Sequence, residues 1–392
     1  MTSKDGKNYI FAIFFIFGFS TMGWIARFPE VKAHLKLSNG EFGTLMSVGA
    51  IGGVVSLLVV GHIVHRFGAI FVMLCASASY LFLIGLMVHL TSVLPFLVAN
   101  VALGISVAAF HISVNAQALY EQEKRDEILI PRAAGLWSLG ALLTLLLSGF
   151  LTGKVPLTWH IDVLEGISFL LILILLKKLE PFALQANESE SHRGSFATVF
   201  RGFHVNWPIS IGMLMGIQLE FSSGDWATIY TKEDLHTSPG VATIPYICFM
   251  LAMILGRLTI HRITGQRPIE KIVRLGGLFG GGGFLLGLIL SHFLIGSSPN
   301  FALIMICLGF FAGGFGSSFL GPIFLNKANR ASDSPGGVVV GQLGVINNIL
   351  TFLVKAVIAW TAQWLSLSVA LLIPGFMLIA VSLFAKVISE ES

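Results

Sequence analysis

The sequence predicts an all-α membrane protein of twelve transmembrane helices in two pseudo-symmetric six-helix bundles. Three observations predict it. Hydrophobic residues make up 55% of the 392-residue chain and charged residues only 11%, far below the roughly one-quarter a water-facing surface carries. Apolar runs of about 20 residues, the length that crosses a bilayer, recur twelve times between polar breaks. A glycine-led basic segment also occurs twice, as Gly61-His62-Ile63-Val64-His65-Arg66-Phe67-Gly68 and as Gly256-Arg257-Leu258-Thr259-Ile260-His261-Arg262. Its leading glycines are half a chain apart, as in a protein built from two similar halves.

The first six runs lie near 8–27, 41–64, 69–89, 93–119, 133–152 and 158–177, and the second six near 206–230, 240–262, 272–292, 299–325, 336–362 and 366–388. The first is too long for a signal peptide and lacks a small-residue cleavage site, so it counts as a span. Orientation follows from Lys and Arg, which favour the inner side. Of the 24 such residues, Arg27, Lys32, Lys36, Lys154 and Lys232 fall in outer segments, Lys355 lies within a span, and the other eighteen are inside. Both termini are therefore expected in the cytoplasm. The domains read as an N-terminal bundle over 1–177, a cytoplasmic linker over 178–204 and a C-terminal bundle over 205–392.

Composition also excludes classes. The basic residues lie scattered in short loops, which argues against nucleic acid as a partner. Cys75, Cys248 and Cys307 are odd in number and sit in apolar runs, so neither a disulfide framework nor a thiolate metal site is expected. Gly280-Gly281-Gly282-Gly283 and Gly313-Gly314-Phe315-Gly316 lie within apolar helices and precede no Lys-Ser/Thr; they suit close helix contact rather than nucleotide phosphates. No cofactor, metal or enzymatic constellation is implied.

Charge inside a bilayer is costly, so an intramembrane ionisable residue is a functional candidate by default. Glu220 and Asp225 lie in the seventh span, roughly 21 and 28 Å from its inner end, and Lys355 in the eleventh at roughly 28 Å. A Lys355–carboxylate pair is expected, either as a coupling element or as an ion pair that fixes packing. In the fourth span His111 and Asn115 share a face. His111 is a proton-coupling candidate with Glu220, Asp225 and Lys355, because imidazole titrates near neutral pH; a neutral histidine bridging helices is the competing reading. Asn115, Gln218, Asn347 and Asn348 offer amides, and Trp137 and Trp226 offer rings, of the kind that hold a neutral polar solute. Gln117, on another face of the fourth helix, reads as packing.

Two six-span halves, a basic segment after the second and eighth spans and a long central loop resemble the major facilitator superfamily. Ala26-Arg27-Phe28-Pro29, Ser113-Val114-Asn115-Ala116-Gln117, Leu136-Trp137-Ser138-Leu139-Gly140, Glu220 with Asp225-Trp226, and Ser238-Pro239-Gly240-Val241-Ala242 resemble its YbjJ/MosC-like subfamily, related to the fucose–proton symporter group. The sequence departs at His111 and Ala134, where that subfamily tends to have Asp and His, and at His65 and His261, where the superfamily usually has Asp. The resemblance implies a major facilitator fold and makes Gly61, His65, Arg66, Gly68, Gly256, Arg257, His261 and Arg262 gating candidates.

The functional expectation is a secondary active transporter, a monomer in the inner membrane. It moves a small polar solute, most simply a sugar or polyol, by alternating access, with protons as the coupling partner. A non-transporting membrane sensor on a carrier scaffold and a drug or metabolite exporter are the alternatives.

Overall fold

The structure is a computed structural model. It describes residues 4–125, 127, 129–184, 206–264, 268–331 and 336–389, with side chains outside the description at 4–5, 261–264, 336–341 and 389. The described residues are helical nearly throughout. The chain divides into two compact units. Unit 1 comprises Met1–Arg27 and Leu45–Phe203, and unit 2 comprises Phe28–Thr44 and His204–Ser392. The cut is thus not the single one expected near the centre, because the short segment Phe28–Thr44 packs with the second half.

Unit 1 is built on α1 (Lys4–Gly23), α4 (Gly49–Phe67), α5 (Ala69–Met87), α6 (Val93–Arg125), α7 (Ile130–Leu151) and α8 (Leu157–Leu179). The α1–α7 contact is close because α1 presents Gly18 to the α7 backbone; a Cβ there would collide with the Trp137 carbonyl. Short polar links tie the apolar helices together. Ser20 of α1 meets the Tyr80 hydroxyl of α5 at 3.1 Å, and Ser148 of α7 donates to the Gly23 carbonyl at 2.7 Å.

The second expected span is two helices, α3 (Asn39–Ser47) and α4, broken at Val48. Asn100 of α6 explains the break. Its amide donates to the Leu45 and Met46 carbonyls at 2.7 and 3.3 Å, satisfying groups that a continuing helix would have used. The first basic segment is not itself a turn. Gly61 through Phe67 are the last two turns of α4, and the chain reverses at Gly68, whose φ of 82° suits glycine.

In unit 2, α2 (Phe28–His34) and the first turns of α3 pack on α9 (Trp207–Glu233) and α14 (Gly336–Trp364). A Cβ at Gly43 would meet Ala359 and Trp226, and one at Gly40 would meet Trp360. Lys32 is 8% exposed and donates to both Glu233 oxygens at 2.8 and 2.6 Å and to Asn39. The remaining helices are α10 (Ile244–Thr264), α11 (Ile269–Leu294), α12 (Pro299–Ser317), α13 (Leu320–Arg330), α15 (Leu367–Ala380) and α16 (Ala385–Ser389). Gly280 and Gly316 bring the α11 and α12 backbones together, the packing role expected of the glycine runs.

Among the described residues eleven helical stretches are long and apolar enough to cross a membrane, one fewer than the twelve expected. The stretch that falls short is α9. Its 27 residues make about 40 Å of helix, but it carries Glu220, Asp225, Lys232 and Glu233. The polarity that lowers its hydropathy is the polarity that makes it a functional candidate.

Candidate functional site

α9 is the polar spine of unit 2. Asn206 caps its N-terminus, accepting from the Ile209 amide at 3.3 Å, and Pro208 occupies the first turn, where its missing N–H costs nothing. Glu220 and Asp225 are five residues apart, which separates them by about 140° around the helix and 7.5 Å along it. They therefore reach different neighbours. Asp225 Oδ2 stands 2.7 Å from Lys355 Nζ of α14, and each side chain is only 16% exposed. The ammonium also lies 5.5 Å from the Phe221 ring. Glu220 Oε1 stands 3.5 Å from Arg257 Nη2 of α10, with the side chains 32% and 37% exposed.

The expected Lys355–carboxylate pair thus exists, and Asp225 is the carboxylate. Glu220 is served instead by Arg257, read from sequence only as part of the gating segment. Arg257 is further held by donation from Nε to the Ser318 carbonyl at 3.2 Å. The two pairs differ in kind. The first is short and mostly shielded, close to the regime in which removing one partner strands a charge. The second is long and open enough for water to compete.

The amide candidates divide by their hydrogen bonds. Asn348 donates to its own helix at Gly344 O, 2.8 Å away, and Asn115 to His111 O, also 2.8 Å away. Gln218 and Asn347 are buried. Their amide nitrogens are used, on Ser222 at 3.4 Å and Leu343 O at 3.0 Å, while the oxygens Gln218 Oε1 and Asn347 Oδ1 lack a partner among the described residues. Trp226 is 2% exposed. Its ring packs edge-on to Phe42 at 6.3 Å and against Gly43, so in this structure it is part of the packing. Trp137 is half-buried on α7.

In unit 1, His111 is exposed on α6 with its ring 6.1 Å from Phe17. His65 and Arg66 are exposed in the last turn of α4, the guanidinium 5.3 Å from the Phe67 ring. Gly61 has open space around it, whereas a Cβ at Gly256 would collide with Ser318; the two repeated glycines do different work. His261 and Arg262 end α10, and their side chains lie outside the described residues, as does most of the 178–204 linker. Gln117 proves to be a clasp. It donates to Phe182 O at 3.0 Å and accepts from Leu184 N at 2.8 Å, fixing the start of that linker on α6.

Sequence reasoning missed several buried polar groups of unit 1. Arg27 is 1% exposed, donates to Val155 O at 2.9 Å and lies 3.3 Å from His160 Nδ1. Glu121 is buried against Arg125 at 2.7 Å. Glu165 is buried in α8. The rule that singled out Glu220 singles out Glu165 too, since both interrupt apolar runs.

The Major Facilitator Superfamily matches residues 10–354. An uncharacterized MFS-type transporter of Yersinia pestis is 26% identical over 382 residues, covering 96% of this chain and 94% of its own. The membrane protein MosC of Rhizobium meliloti is 23% identical over 336 residues, covering 84% and 78%. Among solved structures, the nucleoside transporter NupG superposes with a TM-score of 0.73 at 14% identity, over 99% of this chain and 100% of that one. A D-xylose-proton symporter gives 0.71 at 16% identity, over 97% and 96%.

Proposed function

From the premise that the chain belongs to the major facilitator superfamily, a family of transporters and not of enzymes, we propose that this secondary transporter is proton-coupled and carries a small, hydroxyl-rich polar solute of the sugar or polyol kind. It acts by alternating access in the inner (plasma) membrane, as a monomer with α9 as the twelfth span and both termini in the cytoplasm. A cysteine placed at position 190 tests the orientation: it should resist an impermeant thiol reagent added outside intact cells, and labelling from outside refutes the topology.

One observation carries the coupling. Of the two intramembrane carboxylates of α9, Glu220 is the loosely held one, one-third exposed and 3.5 Å from its cation. Protonation of Glu220 removes its charge's attraction for Arg257, which stays held at the Ser318 carbonyl, so loading a proton changes which groups are available to solute. Asp225, locked to Lys355 at 2.7 Å, is the fixed pair. The unspent oxygens of Gln218 and Asn347 support a hydroxyl-bearing solute, since a buried acceptor without a donor costs about 1–3 kcal/mol and a solute hydroxyl would satisfy it. His111 on α6 is the second proton candidate.

The test is uptake into proteoliposomes with and without a pH gradient, using the sugar or polyol that best stabilises the purified protein in a thermal-shift screen. Glu220→Gln should abolish gradient-driven accumulation and keep solute exchange, which moves no net proton. Wild-type accumulation in that variant refutes the assignment and passes the role to His111.

A further inference from the structure

Glu165 is the eighth residue past the start of α8, about 12 Å along the helix axis. It is 4% exposed, and neither carboxyl oxygen has a hydrogen-bond partner among the described residues. The other buried or half-buried acids described here each face a cation: Glu121 faces Arg125, Glu220 Arg257, Asp225 Lys355 and Glu233 Lys32. A bare ionised carboxylate in a low-dielectric interior costs several kcal/mol. The group is accommodated at far lower cost with a proton on one oxygen.

A cavity of about 460 Å³ lies between α5 and α8 and is walled by Glu165, Leu81, Phe82, Gly85 and Phe169. His89, just past the end of α5, and Asp162 of α8 also line it. His89 Nε2 is 2.9 Å from Asp162 Oδ2, with the side chains 51% and 46% exposed. Asp162 and Glu165 are three residues apart on one helical face, about 4.5 Å in rise. The groove is open and mostly apolar; an exposed imidazole–carboxylate pair stands at one end of it, and a buried acid without a partner among the described residues stands beside it. Nearby, Tyr80 of α5 is occupied with Ser20 of α1, and His160 of α8 lies against Arg27.

We propose that Glu165 is a proton-binding site of unit 1, filled and emptied through the α5–α8 cavity by way of His89 and Asp162. Filling takes H⁺ from water and forms one O–H bond on the Glu165 carboxyl; emptying breaks that bond and returns H⁺ to water. No other atom changes hands. The role of this proton in transport rests on the proton-coupled reading above; the existence of the site does not.

The test uses the full chain in lipid vesicles and the proton itself as probe. Infrared spectra of the wild type at neutral pH should contain the carbonyl band of a protonated carboxyl, moved by D₂O, and Glu165→Gln should remove it. On a jump from alkaline to neutral pH, followed with a pH dye, the variant should take up one proton fewer per chain. His89→Gln with Asp162→Asn should keep the band and slow its appearance at least tenfold. A band that survives Glu165→Gln overturns the site, and wild-type kinetics in the double variant overturn the route. Where Glu165→Gln does not fold, Glu165→Asp replaces it: a shifted band supports the site and an unmoved one overturns it. Absence of proton-driven uptake by the wild type would refute the coupled reading and leave these results standing.

Discussion

Removing one member of the Asp225–Lys355 pair should damage the protein more than removing both. The pair is 2.7 Å long and each side chain is 16% exposed, so little water reaches a charge left behind. Breaking a buried pair from one side costs about 3–5 kcal/mol, whereas replacing both partners by uncharged groups is often neutral. Partial exposure puts this pair at or just below the low end of that range. Lys355→Met and Asp225→Asn should each cost about 2–3 kcal/mol, and the double variant no more than about 1 kcal/mol. The coupling energy from the cycle would then be at least about 3 kcal/mol, at or above the upper end for contacting residues. The assay is apparent thermal stability in one detergent at fixed protein concentration, where about 2–4 °C accompanies each kcal/mol in a domain of roughly 200 residues. Additive losses would refute the reasoning and show that each side chain is held by other groups. Single variants indistinguishable from wild type would show that water screens the pair despite its low exposure.

Three further outcomes follow from the same geometry. Trp226→Ala should cost about 3–5 kcal/mol by leaving a cavity beside Phe42 and Gly43; it should lower expression and thermal stability, whereas loss of transport with unchanged stability would return Trp226 to the solute-contacting group. Lys7 holds the exposed Glu127 carboxyl below the ordinary carboxylate range. A lowered folded-state value means stabilisation that is present at neutral pH and lost as pH falls through that value; Glu127→Gln should flatten the acid limb of stability against pH, and an unchanged limb would refute this contribution. Arg66→Ala should shift the balance between inward- and outward-open forms without altering solute affinity within a form, read as changed accessibility of single-cysteine probes at the two membrane faces, with identical accessibility counting against a gating role.

The chain's class was legible in its sequence because the bilayer imposes a local rule. Each crossing must satisfy its own backbone and present about 20 apolar residues, and a run that meets this, such as 69–89, needs no distant information. It resolves into α5 (Ala69–Met87) with nearly the same bounds. The rule failed where a distant group intervenes: Asn100 breaks the second span from another helix, and Phe28–Thr44 leaves its own half for the Trp226 and Ala359 surface. The same division runs through the site. The candidacy of Glu220, Asp225, His111 and Lys355 followed from their cost in hydrocarbon, a property of residue type and span. Which cation meets which carboxylate depends on the azimuth of α9 against α10 and α14, so Lys355 went to Asp225 and Arg257 to Glu220. Trp226 carried no sequence signal of burial, since an aromatic ring suits a core and a solute site alike; only packing decided. Glu165 was visible in its apolar run, but its isolation was not. An acid without a partner is defined by what every neighbouring helix fails to supply, and that is knowable only once those helices are in place.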